Sequence, residues 1–307
     1  MMKRCLRGVL LFACLLFPIE ASAQIFSNIY IFGNSLSDTG NFATVAGEFP
    51  APFFENRVSN GQVAVEVLAT SLGLSADASR HLVGPAVGTN YAVAGARAAG
   101  LDPIDLSAQI DAFLLNNEDI APSDALYVVA IGGNDVRDAR DEPDNEISKQ
   151  IIRGAVDGIE ESIRALVSAG AKAILVENVP DIGTIPETRI LAATLNDQGV
   201  IQRGTKRTER FNRQLSKSVG NIEGDLGVDL VDFNLFLFSQ SVITNGNGLG
   251  FTNTQDPCFS QATGTFHMEC NVGANFDHFI FFDEIHPTAK ANQRIGRALF
   301  ALVPDLN

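Results

Sequence analysis

Positive charge is scarce in this chain. Its 307 residues carry 22 lysines and arginines against 36 aspartates and glutamates, a formal net charge of −14. Neutralising nucleic-acid phosphates needs clustered Lys and Arg, so the balance argues against a nucleic-acid binder and against electrostatic docking on an anionic membrane. Metal motifs are lacking too: there is no His-Glu-x-x-His pair and no calcium-loop pattern, so no metal or other cofactor is called for. Gly246-Asn247-Gly248-Leu249-Gly250 is no dinucleotide fingerprint, because neither a strand nor a helix frames it. No internal repeat, Pro-rich linker or low-complexity tract divides the chain. What is present is ordinary globular composition, 46% hydrophobic with 27 Gly and 12 Pro, which excludes a disordered or collagen-like polymer.

The first residues read as a leader. Lys3, Arg4 and Arg7 form a positive region, Val9 to Phe17 a short apolar core, and Ala21-Ser22-Ala23 a small-x-small site that predicts cleavage before Gln24. The apolar run is too short to span a bilayer. A lipoprotein reading at Cys14 is the weaker rival, because bulky Phe12 spoils the approach to that cysteine. Removing residues 1–23 takes three cations and one anion away and leaves an exported, acidic chain of charge −16, with no membrane-spanning segment. The destination is periplasmic or extracellular, and nothing in the sequence fixes an oligomeric state.

Only four cysteines occur, and Cys5 and Cys14 belong to the leader. In an oxidising compartment Cys258 and Cys270 most simply form one disulfide closing a local loop. The rival is a zinc site built from Cys258, His267, Cys270 and His278, whose spacing does not match compact structural zinc motifs.

Short apolar runs alternate with longer helix-period segments. Ile29–Phe32, Leu126–Ile131, Ala173–Val176 and Val228–Phe233 suit strands buried on both faces. Between them, Ile151, Ile152, Ala155, Ile159, Ile163, Leu166 and Val167 recur at helical spacing within 147–169, with Gly170 as a stop. Pro287 to Val303 reads as a last helix. This alternation predicts one α/β domain over 24–307, with a parallel sheet covered on both faces. Segment 244–278, rich in Asn, Gly and Thr, lacks periodicity and reads as a long loop or insertion.

Ligands of such sheets sit outside the carboxyl ends of the strands. After the first run stands Gly33-Asn34-Ser35-Leu36-Ser37-Asp38, a serine on a strand-to-helix turn where Gly33 lets the backbone bend. A turn serine more often simply caps a helix. Asp283-Glu284-Ile285-His286-Pro287 supplies a base and, three residues earlier, a carboxylate that can orient it; taken alone it reads more readily as a helix cap beside a surface histidine. Gly132-Gly133-Asn134-Asp135 offers a carboxamide at a strand end, and Gly95 a backbone N–H in a small-residue turn, both suited to an oxyanion. His81, His267 and His278 have no comparable carboxylate motif and read as surface or structural. Phe236, Phe238, Phe251 and Phe259 either pack the core or line an acyl pocket.

Taken together, in this order, the four blocks resemble the GDSL lipases and esterases, also called SGNH hydrolases. Val58-Ser59-Asn60-Gly61, Asn178-Val179-Pro180-Asp181-Ile182-Gly183 and Phe282–Thr288 extend the resemblance over most of the chain, nearest to the secreted bacterial branch of phospholipases and lecithinase/haemolysin-like enzymes. The resemblance implies a three-layer α/β/α, flavodoxin-like fold with a central parallel sheet. It also implies a catalytic set of Ser35, Asp283 and His286, and an oxyanion hole from the Ser35 and Gly95 N–H groups and the Asn134 side chain. The family's usual Asp before the serine is Asn34 here, which alters the local field more than the reaction type. Glycine is missing after Ser35-x, at Ser37, which argues against the ordinary α/β-hydrolase elbow. The activity implied is a serine esterase or lipase acting through an acyl-enzyme on a small-molecule or lipid ester. The alternatives are an acyltransferase of the glycerophospholipid type and a non-catalytic binding protein on the same scaffold.

Overall fold

The computed structural model describes residues 26–270 and 276–303. The predicted leader, its cleavage site and Cys14 lie outside the described residues, as do 271–275 of the expected insertion and the last four residues. Four strands form a parallel sheet in the order β1 (Ile29–Gly33), β2 (Leu126–Ala130), β3 (Ala173–Glu177) and β4 (Leu230–Phe233). These are the four apolar runs read from the sequence, and in β1 to β3 every residue is buried.

The free edge of β1 is also occupied. Residues 89–93 run parallel to it: the Ile31 N–H donates to the Thr89 carbonyl (3.1 Å), the Tyr91 N–H to Ile31 (2.7 Å) and the Val93 N–H to Gly33 (3.1 Å). A second-in-sequence segment outside the first, followed by β2, β3 and β4, is the flavodoxin-like order, whose ligand crevice opens where the order reverses, at β1 and β2. Apolar periodicity did not reveal this edge. Its key residue, Asn90, is polar and donates from its side chain to the Ser37 carbonyl (2.7 Å), while the Asn41 amide reaches the carbonyls of Asn90 (2.7 Å) and Ala92 (2.8 Å).

Nine helices are described: α1 (Ala43–Ala46), α2 (Ala64–Ser71), α3 (Leu106–Asn116), α4 (Gly133–Asp141), α5 (Asn145–Ala169), α6 (Pro186–Thr194), α7 (Gly199–Leu226), α8 (Leu235–Thr244) and α9 (Ala289–Leu302). Alternation along the strands splits the core into two layers. Ile29, Ile31, Leu126, Val128 and Leu175 pack with Leu68 of α2 and Leu299 of α9. Tyr30, Phe32, Tyr127, Val129 and Ile174 pack on the opposite face with Phe113 of α3, Ile159 of α5 and Phe211 of α7. The result is a three-layer α/β/α fold. Helix α5 matches the helix read over 147–169. Asp144 caps it, accepting from the N–H groups of Glu146 (2.7 Å) and Ile147 (3.1 Å), and it ends at Gly170. The last helix starts two residues later than its expected Pro287, at Ala289, because Thr288 is its N-cap and accepts from Ala291.

Segment 244–278, expected as a long loop or insertion, carries short elements of its own. A 3-10 turn occupies Gly246–Leu249, and β5 (Asn253–Pro257) pairs parallel with β8 (Phe279–Phe281). Between them β6 (Phe259–Ser260) and β7 (Thr265–Phe266) form a small antiparallel pair. Strand β5 is polar and largely solvated, so its pairing leaves no apolar alternation to read. Cys258 and Cys270 are bonded to each other, with Cα atoms 5.4 Å apart, and are packed on Phe279. His267 lies edge-on to Phe279 and His278 is exposed; among the described residues no three His, Cys, Asp or Glu side chains converge as a metal-ligand set. A cross-link over a loop this short stabilises by about 2–3 kcal/mol. Cys258→Ser is therefore expected to lower the unfolding free energy by about that amount in urea titrations, and an unchanged midpoint would contradict it.

Candidate active site

The site lies at the carboxyl ends of β1 and β2. At Gly33 a side chain is forbidden by close approach rather than by a bend: a Cβ there would stand 2.6 Å from the Ala130 carbonyl oxygen of the neighbouring strand. The chain then makes one turn, with Ser37 and Asp38 donating to the Asn34 carbonyl (3.0 Å each), so Ser35 sits on a turn but no long helix follows it. The Asn34 side chain accepts from the Leu36 N–H (3.0 Å), which keeps the turn closed although the residue carries no charge. On the second strand, Gly132 adopts φ +116°, and a Cβ there would meet the Phe211 ring at 2.3 Å. Only glycine fits that position, and it delivers Asn134 into the first turn of α4.

His286 closes over Ser35 from the other end of the chain. Its Nε2 is 2.8 Å from the Ser35 hydroxyl oxygen, and its Nδ1 is 2.8 Å from both carboxylate oxygens of Asp283. Asp283 is fully buried, and its Oδ1 also accepts from the N–H groups of Ile285 (2.8 Å) and His286 (2.7 Å). Burial alone would raise its pKa, but the imidazole's charge and these hydrogen bonds hold the carboxyl below the usual aspartate value. The Val58–Gly61 block clasps this turn: the Ser59 hydroxyl donates to the Pro287 carbonyl (2.9 Å) and the Asn60 side chain accepts from the Ala289 N–H (2.9 Å).

Of the expected oxyanion donors, Ser35 and Asn134 line one cavity, and Gly95 lies one residue before Ala96, whose carbonyl accepts from Asn134. Among the described residues, the N–H groups of Ser35 and Gly95 donate to no protein acceptor. The Asn134 amide gives one hydrogen to the Ala96 carbonyl (2.9 Å) and retains a second, while its oxygen accepts from Arg137 (3.1 Å). Gly95, at φ +88°, follows the edge segment 89–93 but is not on the lining of the cavity described below.

Several residues that support the site carry no chemical signature in the sequence. The Gly95 loop is held by three carboxylates: Asp38 accepts from Ala94 (2.8 Å), Asp105 from Arg97 (2.7 Å), and Asp135 from Ala98 (2.9 Å) and Ala99 (3.2 Å). Burial raises the pKa of Asp38 despite four backbone donors, and pushes that of Asp135 up to about 6. Gln261, from the disulfide-closed loop, donates to the outer oxygen of Asp283. Arg137 pairs with Glu187, whose carboxyl is held low against its burial by Arg137 and Arg140. The place of Asp38 and Asp135 at the ends of the motif blocks was the hint in the sequence; nothing marked Gln261.

A cavity of about 100 Å³ opens beside Ser35 and Asn134 and continues past the ends of β3 and β4. Its wall is mostly apolar, with Val65, Ile182, Leu235, Phe238 and Phe281 prominent. Of the four phenylalanines considered for an acyl pocket, Phe238 lines this cavity. Phe251 is buried in the core, Phe259 packs on Phe53, Phe266 and Phe282, and Phe236 lies off the lining. His81, half-buried on Tyr91 and bonded to Ser79 (2.7 Å), is structural, with its pKa lowered to about 4 by burial.

Glu177, the last residue of β3, also lines the cavity at 8% exposure, and burial pushes its pKa up to about 8. The unfolded carboxyl titrates near 4.5. The folded state therefore favours the protonated form, and its contribution to stability is complete below pH 4.5 and lost as pH rises through about 8. Glu177→Gln is expected to melt with wild type near pH 4.5 and above it at pH 9; identical melting curves at pH 9 would contradict this.

A family model described as GDSL-like Lipase/Acylhydrolase matches residues 29–299. GDSL esterase/lipase At1g74460 of Arabidopsis thaliana is 25% identical over 88% of this chain and 85% of its own length. Lipase 1 of Photorhabdus luminescens is 32% identical over 54% of this chain and 24% of that protein. Among solved structures, an acetylxylan esterase from Geobacillus stearothermophilus is 13% identical, covering 90% of this chain and 93% of that one with a TM-score of 0.44.

Proposed function

The chain belongs to the GDSL-like lipase and acylhydrolase family and is a carboxylic ester hydrolase; we propose that it works through an acyl-enzyme on Ser35. The observation that carries this reading is the unbroken relay from the Ser35 hydroxyl through both ring nitrogens of His286 to Asp283, each contact at 2.8 Å. His286 takes the hydroxyl proton through Nε2 as the Ser35 oxygen attacks the ester carbonyl carbon. The oxyanion that forms accepts from the free N–H groups of Ser35 and Gly95 and the spare hydrogen of Asn134. His286 returns its proton to the leaving alcohol, and water, activated by the same ring, releases the acid. Asp283 stays ionised and fixes the tautomer throughout.

The substrate in this reading is an ester whose acyl chain lies in the apolar cavity, and the protein is exported, in keeping with its disulfide. Kinship with secreted bacterial phospholipases rests on the sequence blocks around Ser35, Asn178 and His286. Hydrolysis of p-nitrophenyl esters from acetate to palmitate, with phosphatidylcholine alongside, tests both points. Turnover that rises with chain length supports the acyl pocket, and phospholipid cleavage supports the phospholipase branch. Activity confined to acetate would contradict the pocket assignment. Transfer of the acyl group to an added alcohol in preference to water would replace hydrolase by acyltransferase.

A further inference from the structure

The cavity contains one ionisable group with nothing to do in the reaction described. Gly33, Ala130, Glu177 and Phe233 stand in one register row across the sheet, so Glu177 points to the same face as Phe233, towards α2 and α9. Two interstrand spacings place its Cα roughly 10 Å from that of Gly33, just before Ser35. The other ionisable groups on the lining are already engaged. Arg137 bonds Glu187 and Asn134, and Asp181 accepts from the Gly183 N–H (2.9 Å) and the Thr205 hydroxyl (3.1 Å). Among the described residues the Glu177 side chain makes no hydrogen bond and no ion pair. The residue is nine-tenths buried, yet its unpartnered carboxyl oxygens are open to the apolar cavity, where a polar group on an entering ligand can bond them.

We propose that Glu177 is a recognition point for a hydroxyl group carried on the acyl chain, making esters of hydroxylated fatty acids the preferred substrates. This rests on the serine-esterase reading and names its substrate class. Held protonated by burial, the carboxyl offers one O–H donor and one carbonyl acceptor. A hydroxyl satisfies both at once; a ketone satisfies only the donor, and an ammonium group would force a second charge into the apolar wall. The apolar lining between Ser35 and Glu177 accommodates the methylene chain that joins ester and hydroxyl.

The test is a series of methyl esters of medium-chain fatty acids, each with its hydroxyl on a different carbon, compared with the plain parent by acid release. Wild type is expected to favour one hydroxyl position over the parent in kcat/KM by about tenfold, the worth of one net hydrogen bond. Glu177→Leu is expected to bring that ratio to one or reverse it, and Glu177→Gln, which keeps a donor and an acceptor, to retain part of it. No preference at any position in wild type, or a ratio that survives in Glu177→Leu, overturns the proposal. The wild-type comparison decides even if the leucine variant fails to fold. Acid release that persists in Ser35→Ala would instead count against the esterase reading on which the proposal rests.

Discussion

Replacing Ser35 by alanine is expected to lower kcat for any ester by at least about 10⁴-fold while leaving the melting temperature within a degree or two of wild type. The hydroxyl is partly exposed, and its one side-chain contact is His286 Nε2, so its removal leaves a small gap rather than an orphaned buried group. The backbone turn does not depend on it, being closed by the Asn34 carbonyl and side chain. Binding and the oxyanion donors survive, so a residual rate above water is part of the expectation. Activity within tenfold of wild type, in protein shown to be folded, would remove Ser35 from the chemistry.

Asp283→Asn is expected to lower kcat by about 10³–10⁴-fold with little change in KM. The carboxylate faces Nδ1 with both oxygens at 2.8 Å, an arrangement that demands a proton on that nitrogen and leaves Nε2 free to accept from Ser35. An amide can present its NH₂ to Nδ1, which places the ring proton on Nε2, where it cannot take the serine's. The same substitution changes acid stability. A carboxyl held below its ordinary value contributes stability above the unfolded pKa, and loses it as pH falls through the folded one. Wild type should therefore lose stability more steeply below about pH 4 than the asparagine variant does. Equal kcat in the two proteins would show that the Asp283 contact is a helix-cap interaction and not an orienting one.

The sequence made legible what apolar clustering and motif chemistry report. Strands β1 to β3 show as apolar runs because both faces of the sheet are covered there, β4 shows less plainly because exposed Asp232 interrupts it, and α5 shows through its period and its Gly170 stop. Ser35 and Asn134 stand out because each closely follows an apolar run, where α/β sheets expose their strand ends, and Asp283 and His286 because a carboxylate stands three residues before an imidazole. Residues 89–93 were missed as an edge segment because the apolar part, Tyr91-Ala92-Val93, is short and runs on into small residues, while backbone bonds to β1 and the side-chain amides of Asn41 and Asn90 hold it in place. Asp38 and Asp135 stand inside the quoted motif blocks and Asp105 outside them, but that all three turn inward onto backbone N–H groups shows only in the fold. Glu177 was hidden in the same way. A charged residue ending an apolar run looks like the strand's exit into solvent, whereas here α2 and α9 cover it and the cavity reaches it.

The most direct measurement is labelling by a fluorophosphonate ester, which phosphonylates an activated serine, followed by intact mass and peptide mapping alongside residual activity. One adduct per chain on the peptide carrying Ser35, with activity lost in proportion and no labelling of His286→Ala, is the predicted result. Full labelling of another residue, or ester hydrolysis that persists once Ser35 is fully modified, would contradict the acyl-enzyme mechanism.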